Sequence, residues 1–215
     1  MRAVVLSGPN QFAPAEIEKP QIGPDEILLE MKAAAICGTD MRILTGKKTK
    51  GVRYPSVIGH EFCGVIAEVG ADVKGYEVGE KVAVANVIPC HHCSSCLRGR
   101  TNACLDRKAI GYEFDGGFEE YIRIPSICIE NGNVVKLPEY MSYQAGALIE
   151  PLSCCIRGLK NAGTGFNDDV HMAEVPSLFV DLRQISLDPE HGGAGHGPRH
   201  GACSSDCPSR QPAGR

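Results

Sequence analysis

Four cysteines lie close together in the spacing Cys90-x2-Cys93-x2-Cys96-x7-Cys104. Four thiolates on one loop suit a tetrahedral structural zinc, which leaves no position open for a substrate. The main alternative is an iron–sulfur cluster, but the bacterial ferredoxin pattern continues with three residues and a Cys-Pro pair. Here seven residues intervene and Leu105 follows the last cysteine. The spacing therefore favours zinc over a cluster and over four ordinary buried cysteines, and His91 and His92 are predicted to be solvated loop residues.

Other residue types that bind metals are dispersed along the chain at Cys37, His60, Glu61 and Glu150. Each has a simpler explanation when it is taken singly. Cys37 could be a small buried residue, His60 a hydrogen-bonded core histidine, and Glu150 a carboxylate at the start of a helix. Their joint meaning depends on the motifs around them.

Those motifs resemble the zinc-containing medium-chain alcohol dehydrogenases. From Gly59 the sequence runs Gly-His-Glu-x2-Gly-x5-Gly-x2-Val without a mismatch to that family's signature. Cys-Gly-Thr-Asp lies upstream, the four-cysteine lobe downstream, and Glu-Pro-Leu-Ser begins at Glu150, in the order found in the sorbitol and threonine dehydrogenase branch. The resemblance covers roughly the first 170 residues.

The resemblance implies a catalytic zinc bound by Cys37 and His60, with Glu61 and Glu150 completing or exchanging within its shell, and a second, structural zinc in the four-cysteine lobe. It also implies a GroES-like fold, NAD or NADP as hydride acceptor, and homo-oligomeric full-length relatives. A zinc with an open position lowers the pKa of a bound alcohol, and Thr39 matches the hydroxyl that relays its proton. Arg42 stands where threonine dehydrogenases carry a histidine, which favours a polyol or another secondary alcohol over threonine.

The elements that must position these residues are mainly short β-strands. We predict strands at Met1–Leu6, Glu26–Ala35, Cys63–Val69, Lys81–Ala85 and Phe118–Ile124, separated by Gly-rich turns. Helical character is expected late, over Pro151–Asn161 with Gly163 as a stop signal. The pattern predicts a mainly β, barrel-type catalytic domain with short helices.

The chain is expected to divide into a catalytic domain at 1–160, an incomplete start of a dinucleotide-binding domain at 161–187 and a disordered tail at 188–215. Pro176 falls where the first buried strand of a dinucleotide-binding domain should form. The segment 192–197 is rich in glycine, but no strand precedes it and Pro198 breaks the Gly-x-Gly-x-x-Gly pattern. The tail has no Ile, Leu, Val, Met or aromatic residue with which to offset its ordering entropy. The dinucleotide-binding domain is therefore predicted to be missing.

Composition excludes several classes of partner. A net charge of −4 with interspersed signs favours neither nucleic acid nor an anionic membrane, and no run of about 18 apolar residues indicates a membrane helix. The N-terminus lacks the apolar region of a signal peptide, so a cytoplasmic location is expected. A small alcohol as substrate is what the family resemblance implies. One alternative is a non-catalytic zinc-binding fragment that acts only through binding. A thiol redox sensor at Cys154 and Cys155 is disfavoured, because adjacent cysteines pair poorly.

Overall fold

The computed structural model describes residues 1–163 and the strand at 178–180. Its strands are β1 (Arg2–Gly8), β2 (Gln11–Glu16), β3 (Ile27–Ile36), β4 (Ser56–Val57), β5 (Glu61–Val69), β6 (Lys81–Val84), β7 (Val87–Ile88), β8 (Lys108–Ala109), β9 (Tyr121–Ile124), β10 (Val134–Lys136) and β11 (Leu178–Val180). Its helices are α1 (Gly38–Leu44), α2 (Ser126–Glu130), α3 (Tyr143–Ala147) and α4 (Ile149–Ala162), with 3-10 turns at Cys96–Arg98 and Thr101–Ala103. The mainly β architecture with short helices confirms the predicted fold class.

The main sheet is built around β3. Its strand order is β10-β6-β5-β3-β11, and β9 also pairs with β3. The sequence of β3 is a nearly continuous apolar run, as expected of a strand covered on both faces. It pairs antiparallel with β5 from Ile27↔Val69 to Ala35↔Glu61. This register brings the end of β3 beside the start of β5.

Two smaller sheets complete the β structure of the described residues: β2-β1-β4 and β7-β8. Side chains from several sheets form one apolar core, whose fully buried members include Leu6, Ile27, Leu29, Ile43, Ile58, Phe62, Ile66, Ile88, Ile110, Ile122 and Ile124. Burial of aliphatic side chains on this scale is the main stabilising term of the domain.

All five predicted strands are present, with shifted ends, and the predicted late helix lies within α4, which ends at the left-handed Gly163. The expectation that helices appear only late was wrong, because α1 begins directly after Cys37. This short helix is capped by Cys37 and by Asp40, whose carboxylate accepts a hydrogen bond from the Cys37 N–H. The usual capping pattern has Glu or Gln at that third position.

Strand β2 was not predicted either. Five of its six residues are exposed, and it contains Pro14, so it has neither the alternation nor the composition of a half-buried strand. It is held as an edge strand by antiparallel pairing with β1.

The buried carboxyl of Glu119 does not belong to either group of potential metal ligands. Glu119 is 3% exposed and forms an isolated antiparallel bridge with Ala3 of β1. Burial, together with the nearby charge of Asp115, raises the pKa of the Glu119 carboxyl to about 9. Glu119 is therefore neutral in the folded chain at physiological pH.

The predicted boundaries beyond Gly163 fall largely outside the described residues. The segment 188–215, for which a disordered tail was predicted, lies wholly outside them, and of the segment 164–187 only β11 is described. Strand β11 pairs antiparallel with the end of β3 through Ala34, Ala35 and Ile36. Within the described part of the chain, no helix combines the length and the apolar character needed to cross a membrane.

Candidate metal centre and active site

Cys37, His60 and Glu61 meet at one end of the β3–β5 pair. Cys37 follows the last residue of β3 and caps α1, while His60 precedes β5 and Glu61 begins it. Because Ala35 pairs with Glu61 across the two strands, residues far apart in sequence become neighbours. Their potential ligand atoms all lie within 4.8 Å of one another.

Asp40 contacts both Cys37 and His60. Its Oδ1 lies 3.2 Å from the Nδ1 of His60, and its Oδ2 accepts the Cys37 backbone N–H at 2.9 Å. Asp40 is fully buried and His60 is 5% exposed. A carboxylate against one ring nitrogen orients a metal-binding histidine and leaves the other nitrogen for the metal.

Asp40 lies in the Cys-Gly-Thr-Asp motif, but no role was predicted for it. Its position three residues after Cys37 was the available signal, because a carboxylate there can cap the helix that follows. That it also faces His60 depends on the tertiary fold.

The electrostatics of the group favour a cation. Burial works to lower the pKa of His60, but its polar contacts with Asp40 and Cys37, and their charges, outweigh burial and raise that pKa to about 10. Burial raises the pKa of the Glu61 carboxyl. The Oε2 of Glu61 is buried without a hydrogen-bond partner among the described residues, which is costly unless another ligand satisfies it. A thiolate, an imidazole and a carboxylate are all ligand types that zinc binds.

Glu150 lies close to this group but outside it. It is in the first turn of α4 and lines the same cavity, of about 670 Å³, as Cys37, His60 and Glu61. It does not belong to the set of atoms within 4.8 Å; its Oε1 lies 3.6 Å from the Sγ of Cys154. Glu150 therefore shares the cavity with Glu61 but lies outside the close group of potential ligand atoms.

Thr39 and Arg42 also line this cavity, both on α1. Thr39 is half-buried, and its backbone N–H donates to the Sγ of Cys37 at 3.4 Å. Arg42 is exposed on the same helix. The residue predicted as a proton relay and the residue that departs from the threonine dehydrogenase pattern thus both border the site.

The backbone of Gly116 packs closely against that of Gly59, the residue directly before His60. A Cβ atom at Gly116 would lie 2.2 Å from the carbonyl oxygen of Gly59. Gly59 itself has a φ of 101°, a conformation that side chains rarely adopt. The two glycines allow two loops to pack against each other beside the site.

The four cysteines of the lobe also converge. The Sγ atoms of Cys90, Cys93, Cys96 and Cys104 lie within 4.8 Å of one another. The Sγ of Cys104 accepts the Cys90 N–H at 3.3 Å, and the Sγ of Cys93 accepts the Leu105 N–H at 3.5 Å. The backbone N–H groups of Leu105 and Cys96 lower the pKa of the Cys93 thiol, which favours the thiolate that binds metal.

His91 and His92 are both exposed and lie outside the four-sulfur group. The Nδ1 of His92 lies 2.7 Å from the carbonyl oxygen of Cys90. In α4, Cys154 and Cys155 are free thiols, so the structure shows no disulfide between them.

Comparisons with known proteins place this geometry in a family context. Residues 23–139 match the family described as alcohol dehydrogenase GroES-like domain. The starvation-sensing protein RspB of Escherichia coli K12 is 40% identical over 185 residues, which cover 86% of this chain and 53% of RspB. L-threonine 3-dehydrogenase of Vibrio parahaemolyticus is 35% identical over 138 residues, covering 63% of this chain and 39% of that enzyme.

The fold is shared with a solved protein from Sinorhizobium meliloti 1021, described as a zinc-binding dehydrogenase and bound to NADP. The TM-score is 0.68 at 34% identity, covering 74% of this chain and 45% of that one. The chain thus spans about half or less of the length of each of these proteins. The alignment with RspB is longer than the roughly 170 residues over which the motifs lie.

Proposed function

This chain belongs to the alcohol dehydrogenase GroES-like domain family, and from that premise we propose that it is the metal-bearing catalytic domain of a zinc-dependent oxidoreductase. The proposed reaction is oxidation of a polyol or another secondary alcohol by hydride transfer to NAD or NADP. The observation that carries the proposal is the convergence of Cys37, His60 and Glu61 in one cavity, with an unpaired buried oxygen on Glu61.

The residues of this site fit a catalytic zinc. Cys37, His60 and Glu61 would hold the ion, and Glu150, which lines the same cavity, would complete the shell or exchange with Glu61. When bound, zinc supplies Lewis acidity that lowers the pKa of an alcohol hydroxyl. Asp40 fixes the ring of His60.

Thr39 is the residue that we assign to proton release. Thr39 is half-buried, lines the cavity and lies two positions after Cys37. A hydroxyl both donates and accepts a hydrogen bond, so Thr39 can pass a proton from the substrate hydroxyl toward solvent.

A second zinc would be structural, bound by Cys90, Cys93, Cys96 and Cys104. Four sulfur atoms within 4.8 Å fill a tetrahedral shell, so this site would stabilise the lobe and take no part in the reaction.

The nicotinamide cofactor is the remaining requirement, because zinc itself accepts no hydride. The relative from Sinorhizobium meliloti is bound to NADP, and we propose NAD or NADP for this family member too. We also propose that the catalytic domain spans 1–160, that the incomplete start of a dinucleotide-binding domain spans 161–187, and that a C-terminal tail spans 188–215. Since no Gly-x-Gly-x-x-Gly turn follows a strand pattern in these 215 residues, we expect little or no turnover from this chain alone.

The second candidate is a non-catalytic zinc-binding fragment that acts only through binding. The lack of a Gly-x-Gly-x-x-Gly pattern after a strand pattern in these 215 residues favours this second candidate. Addition of a complete dinucleotide-binding domain separates the two candidates, because the catalytic domain of an enzyme would then show turnover and a binding fragment would not.

The decisive experiment compares two proteins in the presence of NAD or NADP and a polyol panel. One is the 215-residue chain, and the other carries a complete dinucleotide-binding domain in place of the residues after Val170. We expect turnover only from the second protein, and His60→Ala in that protein should abolish it, because hydride transfer depends on close placement of both reactants. An inactive second protein that still binds zinc and cofactor would refute the proposed activity, and comparable turnover by both proteins would refute the proposed inactivity of the chain alone.

A further inference from the structure

The cavity at the candidate metal centre is bordered by unusually many cationic side chains. Its positively charged lining residues are Arg42, Lys47, Lys48, Lys50 and Arg107. The carboxylates in the same lining are Glu61 and Glu150, both already assigned to the metal. A bound zinc ion would add to the positive charge of the cavity.

Most of these cations belong to one loop, which continues directly from the metal centre. Helix α1 starts after Cys37, and the loop that follows it carries three lysines within four positions. The loop is tied back to α1, since the Lys48 N–H donates to the carbonyl oxygen of Arg42 at 3.0 Å. A turn at Thr49 continues it, with the Val52 N–H donating to the Thr49 carbonyl at 3.1 Å. These backbone hydrogen bonds fix the conformation of the loop that carries the three lysines.

These cations lack partners of opposite charge. Among the described residues, none of the five forms a salt bridge, whereas Arg2, Lys19, Lys32, Arg53, Arg123 and Lys136 all do. Lys48 only stacks on the Tyr112 ring, 5.1 Å from its centroid, and that ring lies 5.9 Å from the ring of His60.

Two further acids, Asp106 and Glu113, line an adjoining cavity together with Lys48, Lys50 and Arg107. The Glu113 carboxylate accepts the Ala109 N–H at 2.9 Å. Among the described residues, neither acid forms a salt bridge with these cations, and neither lines the cavity of the metal centre.

We propose that the substrate alcohol carries an anionic group, a carboxylate or a phosphate, on a carbon distant from the hydroxyl that is oxidised. This inference rests on the proposed function and names its substrate class. Unpaired cations repel one another and gain little from a neutral polyol, whereas an anion forms charge-assisted hydrogen bonds with them. A cavity of about 670 Å³ is large enough to hold both ends of a short polyol chain, with one end at the zinc and the other at the lysines.

Calorimetric titration of the zinc-loaded chain tests this directly, with sorbitol, gluconate and sorbitol 6-phosphate as probes. We expect at least one anionic probe to bind about tenfold or more tightly than sorbitol at low salt, with the advantage shrinking as salt screens the charges. The better of the two anionic probes identifies carboxylate or phosphate as the natural group. Equal affinity for sorbitol and both anions would overturn the proposal.

Two charge-matched variants locate the effect. Lys47→Gln/Lys50→Gln should reduce affinity for the preferred anion about three- to tenfold and leave sorbitol binding unchanged. Lys74→Gln/Lys160→Gln removes two exposed lysines that do not line this cavity and should leave both affinities unchanged. Equal losses in the two variants would show a non-specific charge effect and would overturn the proposal.

The zinc content of His60→Ala separates this inference from the proposed function. Loss of one zinc ion together with loss of anion binding supports both. Loss of one zinc ion with anion binding unchanged shows adventitious binding to surface cations and refutes only the anionic substrate. Unchanged zinc content, or no binding of any polyol by the zinc-loaded chain, refutes the proposed function and the inference that rests on it.

Discussion

Replacement of Glu119 by glutamine is expected to stabilise the fold at neutral and alkaline pH. The carboxyl of Glu119 is buried, and burial together with the charge of Asp115 raises its pKa from 4.5 to about 9. The folded chain therefore keeps the carboxyl protonated, whereas the unfolded chain ionises it near its ordinary value. Glutamine has nearly the same shape but cannot ionise.

The magnitude follows from the difference between the two pKa values. Between pH 4.5 and about 9 the folded state holds a proton that the unfolded state has lost, so stability falls as pH rises through that window. The slope is about 1.4 kcal/mol per pH unit. At pH 7 the accumulated loss reaches about 3 kcal/mol at most, since any water that enters beside the carboxyl lowers its pKa.

Urea unfolding of the zinc-loaded wild-type chain and Glu119→Gln at pH 5, 6, 7 and 8 measures this loss. The free energy of unfolding of the variant, relative to wild type, should increase steadily with pH. A difference that does not vary with pH, or a variant less stable than wild type at pH 8, would refute the assignment of a neutral buried carboxyl.

The neighbouring Glu120 provides a matched control of opposite sign. The backbone N–H of Arg2, followed by its guanidinium, lowers the pKa of the Glu120 carboxyl. A lowered pKa adds stability above the unfolded value, and that stability is lost as pH falls through the folded value. Glu120→Gln should therefore weaken the fold at pH 7 and lose this effect in acid.

Metal analysis of the purified chain should give two zinc ions, and iron with acid-labile sulfide would instead indicate a cluster in the four-cysteine lobe. Cys93→Ser should chiefly impair folding, because the binding energy of a structural zinc is folding energy. His60→Ala should lose one zinc and keep the fold, so equal thermal destabilisation by both would contradict the two roles. Gly116→Ala should destabilise, since its Cβ would lie 2.2 Å from the Gly59 carbonyl oxygen. Gly158→Ala, with nothing within 4 Å of the added Cβ, should stabilise α4 by up to about 1 kcal/mol, and urea unfolding of both variants checks these opposite signs.

Elements with a strong local pattern could be predicted from the sequence. Strand β3 is a long apolar run, and α4 has a glycine stop at Gly163, so both were located to within two residues or so. Strand β2 and helix α1 were not predicted. Strand β2 is exposed and depends on pairing with β1, and α1 is short and depends on capping by Cys37 and Asp40.

The sequence by itself predicted the residues of both candidate metal sites. For the four-cysteine lobe the prediction came from ligand spacing on a single loop, which is set by covalent geometry. Cys90 and Cys104 are only 14 positions apart, and their convergence needs no knowledge of the distant chain. Cys37 and His60 are different, because only the register of β3 against β5 brings them together.

The tertiary structure alone decided which groups surround those ligands. It placed Asp40 against His60 and buried Glu119. It also brought Glu150 and Arg107 into one cavity with the lysine loop. Each of these outcomes depends on contacts between segments that are remote in sequence, or on how much water the packed chain excludes. Local composition and periodicity carry neither kind of information, since burial and electrostatic environment exist only once the sheets have packed.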